Sequence, residues 1–362
     1  MKIAIIVDRL TNYGGVERIV LLMAKEFNAD IYTGFWKRDT SFSEFQNFNI
    51  TELIPYDSFA YKLPYRIRGR YLHYKFSKLK LKDYDFYIFH GGKSLELAKE
   101  HHPNLWYCHS PTIWLYDLYE EELRGFNFLK RQLFRVSCHF LRKRDKKNVS
   151  YVDKIVTNSK NVKDRVRRIY GRDADVVYPP VNLKKFKYNK TDDFYLSTAR
   201  LTPDKRVDVI IKAFQKIPNK KLVVSSGGTE LSKIQQLAKG YRNINVLGWI
   251  SEDKLRELYG NCIATVFASL YEDLGMVALE SMAAGKPVIA SGDKGFRETV
   301  IDKKTGLLIK PTVENIIKAV EWMTPERAKE MRKACEERAK DFSEEKFIEG
   351  IRKAIEEVRD GS

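Results

Sequence analysis

The stretch YEDLGMVALESMAAGKPVIAS, residues 271–291, has the pattern of a loop, a helix and a strand in immediate succession. Residues 264–270 before it form a short apolar run that is typical of a buried strand. Residues 276–284 are rich in helix formers, and Gly285 and Pro287 are expected to end that helix before the next strand begins. The stretch therefore predicts a β-loop-α-β unit.

Two glutamates lie in this unit, Glu272 just after the first strand and Glu280 about one turn into the helix. Gly275 between them permits a tight backbone turn. The start of a helix attracts anions, and a carboxylate nearby can bind two adjacent sugar hydroxyls, as in dinucleotide-binding folds. The pair fits a nucleotide that carries a diphosphate and a sugar. Chance pairs are common in a Glu-rich chain, so a loop acid and a solvated helix acid remain the alternative.

The length of 362 residues suits two domains, and the 43% hydrophobic content is normal for a folded protein. The first apolar run spans only residues 3–7, so it predicts a buried strand rather than a signal peptide. No apolar run approaches the length of a membrane span. Four separated cysteines without metal-ligand spacing argue against a disulfide framework or zinc site and fit a reducing cytoplasm: Cys108, Cys138, Cys262 and Cys335.

The net charge of +17 is concentrated in two segments of the first half. Residues 61–82 carry +8 with five Tyr or Phe, and residues 126–148 carry +7 with four Phe. Basic residues interleaved with aromatics suit the anionic inner face of the cell membrane, to which the protein would bind peripherally. A solvated basic face is the alternative. Nucleic acid is not the expected partner, although the same composition would suit it.

The first half alternates strand-like and helical patterns, which predicts a mostly parallel sheet covered on both sides. The expected strands are residues 3–8, 30–34, 85–91, 104–110, 154–159 and 175–181. Ligands of such sheets bind beyond the carboxyl ends of the strands. Gly14 and Gly15 lie there, where they can approach a phosphate or simply form a tight turn. His109 also ends a strand and is a candidate proton carrier or sugar ligand, although a lone histidine is more often structural. His90 has the same placement and weaker support.

A second alternating series begins after YPPVNLKKF, and we place the domain boundary near residue 185. Arg200 and Lys205 lie on its first strand-to-helix loop, where two cations can stabilise a departing diphosphate; two unrelated surface cations are the alternative. Trp249 and Ile250 follow a later strand and could border a base or fill the core.

In order and spacing, these motifs resemble the large retaining glycosyltransferase family called family 4, or group 1. The matching stretches span nearly the whole chain: TNYGGVERIV, WYCHSP, VTNSKNVKDRVRRIYG, VVYPPVN, TARLTPDKRVDVIIKAF, LGWISEDKLRELY, YEDLGMVALESMAAGKPVIAS and GFRETVIDKKTGLLI. Two places depart from the family pattern. Asp273 and Leu274 follow Glu272 where the family commonly has Gly or Pro and then Phe, and SSGG replaces a Gly-x-Gly.

The resemblance implies an α/β protein of the GT-B fold, with two Rossmann-like parallel-sheet domains facing across a deep cleft. Residues 1–185 would bind the acceptor and residues 186–341 the nucleotide sugar. Residues 342–362 would form a C-terminal helix that crosses back to the N-terminal domain.

The resemblance also implies roles around the reacting bond. Gly14 and Gly15 would offer backbone amides to the donor diphosphate. His109 would meet the reacting sugar, and Arg200 and Lys205 would hold the diphosphate as it leaves. No metal or other cofactor would be required, because cationic side chains replace the metal; no Asp-x-Asp motif occurs in a suitable loop.

In the opening stretch, Glu272 would contact the hydroxyls of the donor sugar and Glu280 those of the ribose. Trp249 and Ile250 would border the base. The backbone after Glu272 would lie near sugar and phosphate at Leu274, Gly275 and Met276.

The implied function is transfer of a hexose from a nucleoside-diphosphate sugar to a lipid-linked or polysaccharide acceptor, with retained anomeric configuration. The stretches WYCHSP, YPPVN and GFRETV resemble the mannosyltransferase branch and favour GDP-mannose as the donor. A transferase that uses a UDP-sugar is an alternative. So are a sugar-nucleotide epimerase or phosphorylase on the same architecture and a non-catalytic binder of anionic polymer or membrane.

Overall fold

The computed structural model describes residues 1–292 and 295–361, except for the side chains of Tyr65 and Arg66. Those two side chains belong to the basic segment 61–82, and Ser362 ends the predicted C-terminal helix; these parts of the predictions lie outside the described residues. The chain divides into two compact units. The N-terminal unit contains Met1–Tyr178 and the residues from Ile348 onward, and the C-terminal unit is Pro179–Phe347. The division thus lies shortly before the predicted boundary near residue 185.

The N-terminal unit is built on a parallel sheet of seven strands in the order β3-β2-β1-β4-β5-β6-β7. Its strands are β1 Ile3–Val7, β2 Asp30–Thr33, β3 Ile50–Glu52, β4 Phe86–His90, β5 Asn104–Cys108, β6 Lys154–Thr157 and β7 Asp175–Val176. Three of them are buried along their whole length, β1, β4 and β5, as expected for central strands with helices on both faces.

Seven helices of this unit lie on the connections between its strands or lead into them. They are α1 Gly15–Phe27, α2 Phe59–Lys62, α3 Tyr65–Lys78, α4 Ile113–Tyr116, α5 Tyr119–Arg124, α6 Phe128–Ser150 and α7 Lys160–Tyr170. Short 3-10 turns occupy Arg38–Thr40, Ser43–Asn47 and Ser94–Leu97. Helix α1 packs on the sheet through Ile19, Val20, Met23 and Ala24, all buried, as the spacing of its apolar residues predicts.

The C-terminal unit has a parallel sheet of six strands in the order β10-β9-β8-β11-β12-β13. The strands are β8 Tyr195–Ser197, β9 Leu222–Val224, β10 Ile244–Val246, β11 Thr265–Phe267, β12 Val288–Ser291 and β13 Gly306–Ile309. Its helices are α8 Val207–Gln215, α9 Leu231–Ala238, α10 Glu252–Asn261, α11 Met276–Ala283, α12 Phe296–Thr299, α13 Val313–Trp322 and α14 Pro325–Lys340, with a 3-10 turn at Pro203–Lys205.

The last helix, α15 Glu344–Asp360, lies within the stretch 342–362 that was expected to form a C-terminal helix. From Ile348 onward it belongs to the N-terminal unit. There Arg352 forms an ion pair with Glu26 and lies over the ring of Phe27, both in α1.

The predicted alternation of strands and helices is confirmed in both units, and each has a Rossmann-like parallel sheet. One predicted strand is too long, and one observed strand was missed. The predicted strand 175–181 ends at Val176, because Pro179 and Pro180 follow and lack the N–H that a ladder needs. The short strand β3 was not predicted, since a three-residue edge strand leaves no clear pattern.

Candidate functional site

The C-terminal sheet changes its direction of strand order at β8, which lies between β9 and β11. The connections that follow β8 and β11 lead to opposite sides of the sheet and leave a crevice at the carboxyl ends of these two strands. Ligands of open parallel sheets bind in such a crevice. The loop after β8 carries Arg200 and Lys205, and the loop after β11 carries Glu272. The two loops touch, because the N–H of Leu270 donates to the carbonyl of Asp204 over 2.9 Å.

Lys205 and Glu272 form an ion pair at this crevice. The ammonium Nζ lies 2.9 Å from Glu272 Oε2, 3.2 Å from the carbonyl oxygen of Tyr271 and 3.6 Å from Asp204 Oδ2. Burial alone would lower the pKa of Lys205, but the neighbouring carboxylates of Glu272, Asp204 and Asp273 together outweigh burial and raise that pKa above its ordinary value. The lysine therefore stays charged across the neutral range, and a fixed cation is in place before any ligand arrives.

Arg200 lies on the same loop with an exposed side chain, and its guanidinium forms no ion pair with the described residues. The structure thus places both predicted cations on one loop, but it brings only Lys205 into contact with Glu272. The guanidinium is left with its donors available to a ligand.

Glu280 lies on α11 and is 9% exposed. The hydroxyl of Tyr259, on α10, donates to Glu280 Oε2 over 2.9 Å. The same hydroxyl lies 2.7 Å from Thr198 Oγ1, in the loop after β8. A buried carboxylate needs such donors, so the interpretation of Glu280 as a solvated helix acid is wrong. Tyr259 was missed from sequence, because nothing along the chain links it to a residue one helix later.

The loop between the two glutamates has the tight turn predicted at Gly275, whose φ is +86°. A side chain there would be strained, and its Cβ would lie 2.5 Å from the ring of Phe296. Leu274 is buried, whereas Met276, which begins α11, is partly exposed. Gly295 packs against this loop, and its N–H donates to the carbonyl of Glu272 over 3.1 Å. The backbone of the loop is therefore fixed from both sides.

Trp249 is 71% exposed, so the alternative that it fills the core is wrong. Its indole lies directly over Gly227, where an added Cβ would overlap the ring. Gly227 follows β9, and Ile250, next to Trp249, is partly exposed. An open aromatic surface thus lies at the carboxyl edge of the sheet, on the side of β9 and β10.

Three buried serine hydroxyls lie at or just beyond the carboxyl ends of β8, β9 and β11. Among the described residues they have no hydrogen-bond partner: Ser197, Ser225 and Ser269. Buried hydroxyls without partners are unusual. These three can still donate or accept hydrogen bonds at the same sheet edge as Lys205. Serine is too common at strand ends for the sequence to have singled them out.

In the N-terminal unit, Gly14 ends the loop between β1 and α1, and Gly15 is the first residue of α1. A carboxylate missed from sequence shapes this loop. Glu17, in the first turn of α1, is 5% exposed, and its Oε1 accepts the N–H of Asn12 over 3.2 Å. An added Cβ at Gly14 would lie 2.6 Å from the other oxygen of Glu17. Gly14 is therefore needed where the loop closes on the glutamate.

His109 lies just beyond the end of β5, and its Nε2 is 2.9 Å from Nδ1 of His90, the last residue of β4. Strand pairing sets this contact, because His90 is opposite Tyr107, two residues before His109. Burial lowers the pKa of His109 to about 3. The pKa of His90 is also lowered, mainly by burial and to a smaller extent by the neighbouring His109. Both imidazoles are neutral near pH 7 and can exchange a hydrogen bond without mutual repulsion.

The histidine pair predicts a loss of stability in acid. Below pH 6.5 the histidines of the unfolded chain bind protons that the folded chain does not, so the free energy of unfolding falls as pH falls. Each histidine contributes about 1.4 kcal/mol per pH unit, for His109 down to about pH 3. The free energy of unfolding, measured with denaturant at pH 5 and at pH 6, should change less between the two pH values for His109→Gln than for the wild type. An equal change in both proteins would show that folding does not lower the pKa of His109.

Within residues 1–292 and 295–361, no three His, Cys, Asp or Glu side chains converge as ligands of a metal ion would. None of the helices in that part of the chain has the length and hydrophobicity to cross a membrane.

Two family models match the chain in succession. The model described as Glycosyltransferase Family 4 matches residues 13–185, and the model described as Glycosyl transferases group 1 matches residues 180–342. The second match contains the ion pair of Lys205 with Glu272 and the buried Glu280.

Relatives with similar sequences carry glycosyltransferase names. Two uncharacterized glycosyltransferases of Methanocaldococcus jannaschii are 36% identical over 218 residues and 31% identical over 182 residues, which are 58% and 43% of this chain. The chain spans 60% and 47% of the length of these relatives. The alpha-1,3/1,6-mannosyltransferase ALG2 of Dictyostelium discoideum is 24% identical over 305 residues, which are 70% of each chain.

Solved structures show the same fold. HepE of Anabaena, crystallised with UDP and glucose, superposes with a TM-score of 0.74 at 14% identity, covering 98% of this chain and 99% of its own. Sucrose-phosphate synthase of Thermosynechococcus elongatus gives a TM-score of 0.74 at 20% identity over the whole of both chains. With the two parallel sheets, these likenesses confirm the GT-B fold class.

Proposed function

Because this chain belongs to the group 1, family 4 glycosyltransferases, we propose that it transfers a hexose from a nucleoside-diphosphate sugar with retention of anomeric configuration. The acceptor is a lipid-linked or polysaccharide glycan. The observation that carries the proposal is the ion pair between Lys205 and Glu272 at the strand-order reversal of the C-terminal sheet. A preformed cation at this crevice suits a diphosphate, and a carboxylate beside it suits sugar hydroxyls.

The proposed reaction breaks the bond between the anomeric carbon and the diphosphate oxygen and forms a bond from that carbon to an acceptor hydroxyl oxygen. The acceptor proton passes to the departing phosphate. Lys205 and Arg200 carry the charge that develops on the diphosphate, so the chemistry requires no metal. The ammonium already makes contact with Glu272, Tyr271 and Asp204. A phosphate oxygen would therefore replace one of these partners.

The remaining residues bind and orient the donor. Glu272 would accept hydrogen bonds from the sugar hydroxyls and Glu280 from the ribose. Trp249 and Ile250 would border the base. The loop backbone would contact sugar and phosphate at Leu274, Gly275 and Met276.

The proposal keeps the roles assigned by resemblance in the N-terminal unit. Gly14 and Gly15 would offer backbone amides to the diphosphate, and His109 would contact the reacting sugar. As a neutral imidazole bonded to His90, His109 would act through a hydrogen bond rather than as a cation. Asp273 and Leu274 replace the usual family residues after Glu272, so this part of the loop is where the choice of sugar would differ.

GDP-mannose is the donor we favour. Support comes from the motifs of the mannosyltransferase branch and from the named mannosyltransferases among the relatives, including ALG2 of Saccharomyces cerevisiae, 28% identical over 274 residues. A UDP-sugar is the second candidate, since HepE of Anabaena, which has the same fold, was crystallised with UDP and glucose.

Thermal unfolding with GDP, UDP, ADP and dTDP tests the proposal. Binding to the folded state stabilises it by mass action, by about 2.7 kcal/mol at a ligand concentration of 100 Kd. GDP should raise the melting temperature most. A larger rise in melting temperature with UDP would change the proposed donor to a UDP-sugar and would leave the proposed transferase function unchanged. If none of the four raises the melting temperature, the nucleotide-sugar function is wrong. If a nucleotide does bind, product analysis with labelled donor and acceptor should show a glycoside of retained configuration, which an epimerase would not form.

We also propose peripheral contact with the inner face of the membrane, through segments 61–82 and 126–148. The second segment is almost entirely helix α6. Its exposed apolar side chains stand among eight Lys or Arg residues: Phe128, Leu129, Leu133, Val136 and Phe140. An amphipathic basic helix of this kind suits an anionic lipid surface. Flotation with vesicles of anionic lipid tests this contact.

A further inference from the structure

A cavity of about 630 Å³ lies within the N-terminal unit, among helices α3 to α6 and the loops that follow β1 and β4. Its volume is in the range of small-molecule binding sites. One wall is apolar and partly aromatic, formed by Trp114, Leu115, Phe126, Leu133, Phe134 and Leu141. Leu115 and Phe134 belong to a small buried cluster, so this wall is a fixed part of the fold.

The apolar wall continues onto the exposed face of α6. Leu133 lines the cavity and is also 65% exposed, and a shallow groove beside it is lined by Leu129, Val136 and Phe140. The inside of the cavity is therefore connected by carbon surface to the helix face that we assign to the membrane. The groove is also lined by Arg70, Gln132, Ser137 and Arg144, so a hydrocarbon chain would follow the carbon surface beside these polar groups.

Charged side chains of both signs line the cavity, and its exposed cations are the groups that a phosphate could reach. Arg70 and Lys130 line it with exposed side chains, and neither forms an ion pair within residues 1–292 and 295–361. Lys93 and Arg144 also line it, but Asp8 and Glu96 respectively neutralise them. Of the acids in the lining, Asp145 accepts hydrogen bonds from the hydroxyls of Tyr116 and Tyr170. Those hydroxyls leave the charge of Asp145 in place. Within residues 1–292 and 295–361, the lining groups without an ion-pair partner are therefore two cations, Arg70 and Lys130, and two carboxylates, Glu122 and Asp145.

The inner end of the cavity reaches the carboxyl edge of the sheet. Asp8, Gly92 and Thr112 line this end, and they follow β1, β4 and β5. An added Cβ at Gly92 would lie 3.7 Å from Thr112 Oγ1 and 3.9 Å from Asp145 Oδ1, so polar oxygens face this end of the cavity. Gly14 and His109 follow strands at the same edge. A ligand in the cavity would therefore have its polar end at the edge where reaction is expected.

We propose that this cavity binds the hydrocarbon chain of a lipid-phosphate acceptor. The chain lies against the apolar wall and leaves over α6, the phosphate pairs with Arg70 and Lys130, and the sugar-accepting end is directed to the strand edge. A polysaccharide would place hydroxyls against a wall that offers few partners, which is costly. The inference rests on the proposed transferase function, and it selects the lipid-linked class among its acceptors.

Binding of octyl, decyl and dodecyl phosphate, each below its micelle concentration, tests the cavity. Quenching or enhancement of tryptophan fluorescence can report binding, because Trp114 lines it. Each methylene that enters an apolar site should lower Kd about fourfold, until the chain fills the cavity. Dodecanol should bind more weakly than dodecyl phosphate, since it lacks the charge. Inorganic phosphate should bind far more weakly than any of the three alkyl phosphates. Equal Kd values for octyl and dodecyl phosphate would overturn the proposal.

A matched pair of variants locates the site. Ser137 lines the cavity on α6, whereas Ser150 is an exposed residue at the end of the same helix. Ser137→Trp should fill the cavity and raise the Kd of dodecyl phosphate at least tenfold, but Ser150→Trp should leave it unchanged. Both variants should still float with vesicles of anionic lipid and be released by salt, because the exposed apolar side chains of α6 are unchanged in both.

The same variants separate this inference from the proposed function. Ser137→Trp should keep the thermal shift with the preferred nucleoside diphosphate, which also shows that it is folded. If the wild type binds nucleotide but shows no dependence on chain length, only the lipid cavity is wrong. If the wild type binds alkyl phosphates but no nucleotide, the proposed transferase function is wrong, whereas the assignment of the cavity to a lipid phosphate is retained.

Discussion

Replacement of Lys205 with alanine is expected to lower turnover on the order of 100- to 1000-fold, with little change in thermal stability. A fixed charge at the position of a developing anion is worth that much in other enzymes, because it needs no rearrangement during the reaction. Lys205 meets this condition, since Glu272 and two further oxygens hold its ammonium in place. Single-turnover rates with saturating donor and acceptor measure the loss.

Lys212→Ala is the matched control. Lys212 lies on α8, directly after the same loop, and among the described residues it pairs only with Asp208, one turn earlier, over 3.0 Å. An exposed pair of this kind contributes little to stability, and its loss should leave turnover within twofold of the wild type. Near-normal turnover of the Lys205 variant would remove that residue from diphosphate stabilisation. Loss of the folded state in that variant would show that the ion pair is structural.

Glu280→Gln is expected to weaken binding of the nucleoside diphosphate by roughly 10- to 100-fold. A hydrogen bond to a charged group contributes about 1.5–3 kcal/mol, more than one to a neutral amide. Glutamine keeps the shape of the side chain and an oxygen that can accept from the Tyr259 hydroxyl, so the local fold should persist. Titration calorimetry with GDP measures the change.

Glu321→Gln, an exposed position on α13, provides the charge-matched control and should bind GDP normally. Unchanged affinity in Glu280→Gln would leave the carboxylate with a purely structural role beside Tyr259. Glu280→Ala is the harsher variant, because it leaves the buried tyrosine hydroxyl with one partner fewer. A melting temperature that falls only in the alanine variant would separate the structural contribution from the binding contribution.

Much of this fold can be predicted from sequence, because parallel strands covered on both faces are short apolar runs. The run IAIIV gave β1, and the run ATVFASL contained β11. The turn at Gly275 was predictable as well, since glycine followed by helix formers leaves few alternatives. In such sheets the loops after strands hold the ligands, so Lys205 and Glu272 could be placed at one edge before any contact was known.

Contacts made by packing across elements could not be predicted. The pairing of His90 with His109 depends on the register of β4 against β5, and the support of Glu280 by Tyr259 depends on how α10 lies against α11. The cavity beside α6 had only an indirect signal, the aromatic residues among the basic ones. Periodicity shows which face of a helix is apolar, but not whether another element covers that face.

The return of α15 to the N-terminal unit affects how the protein is made. Residues from Ile348 onward leave the ribosome after the whole of Pro179–Phe347, yet they complete a unit that began with Met1. The strands of the N-terminal sheet are therefore synthesised before this helix, and Glu26 and Lys154 can pair with Arg352 and Glu357 only after Pro179–Phe347 has been made. The order of synthesis and the order of completion are thus reversed for the two units.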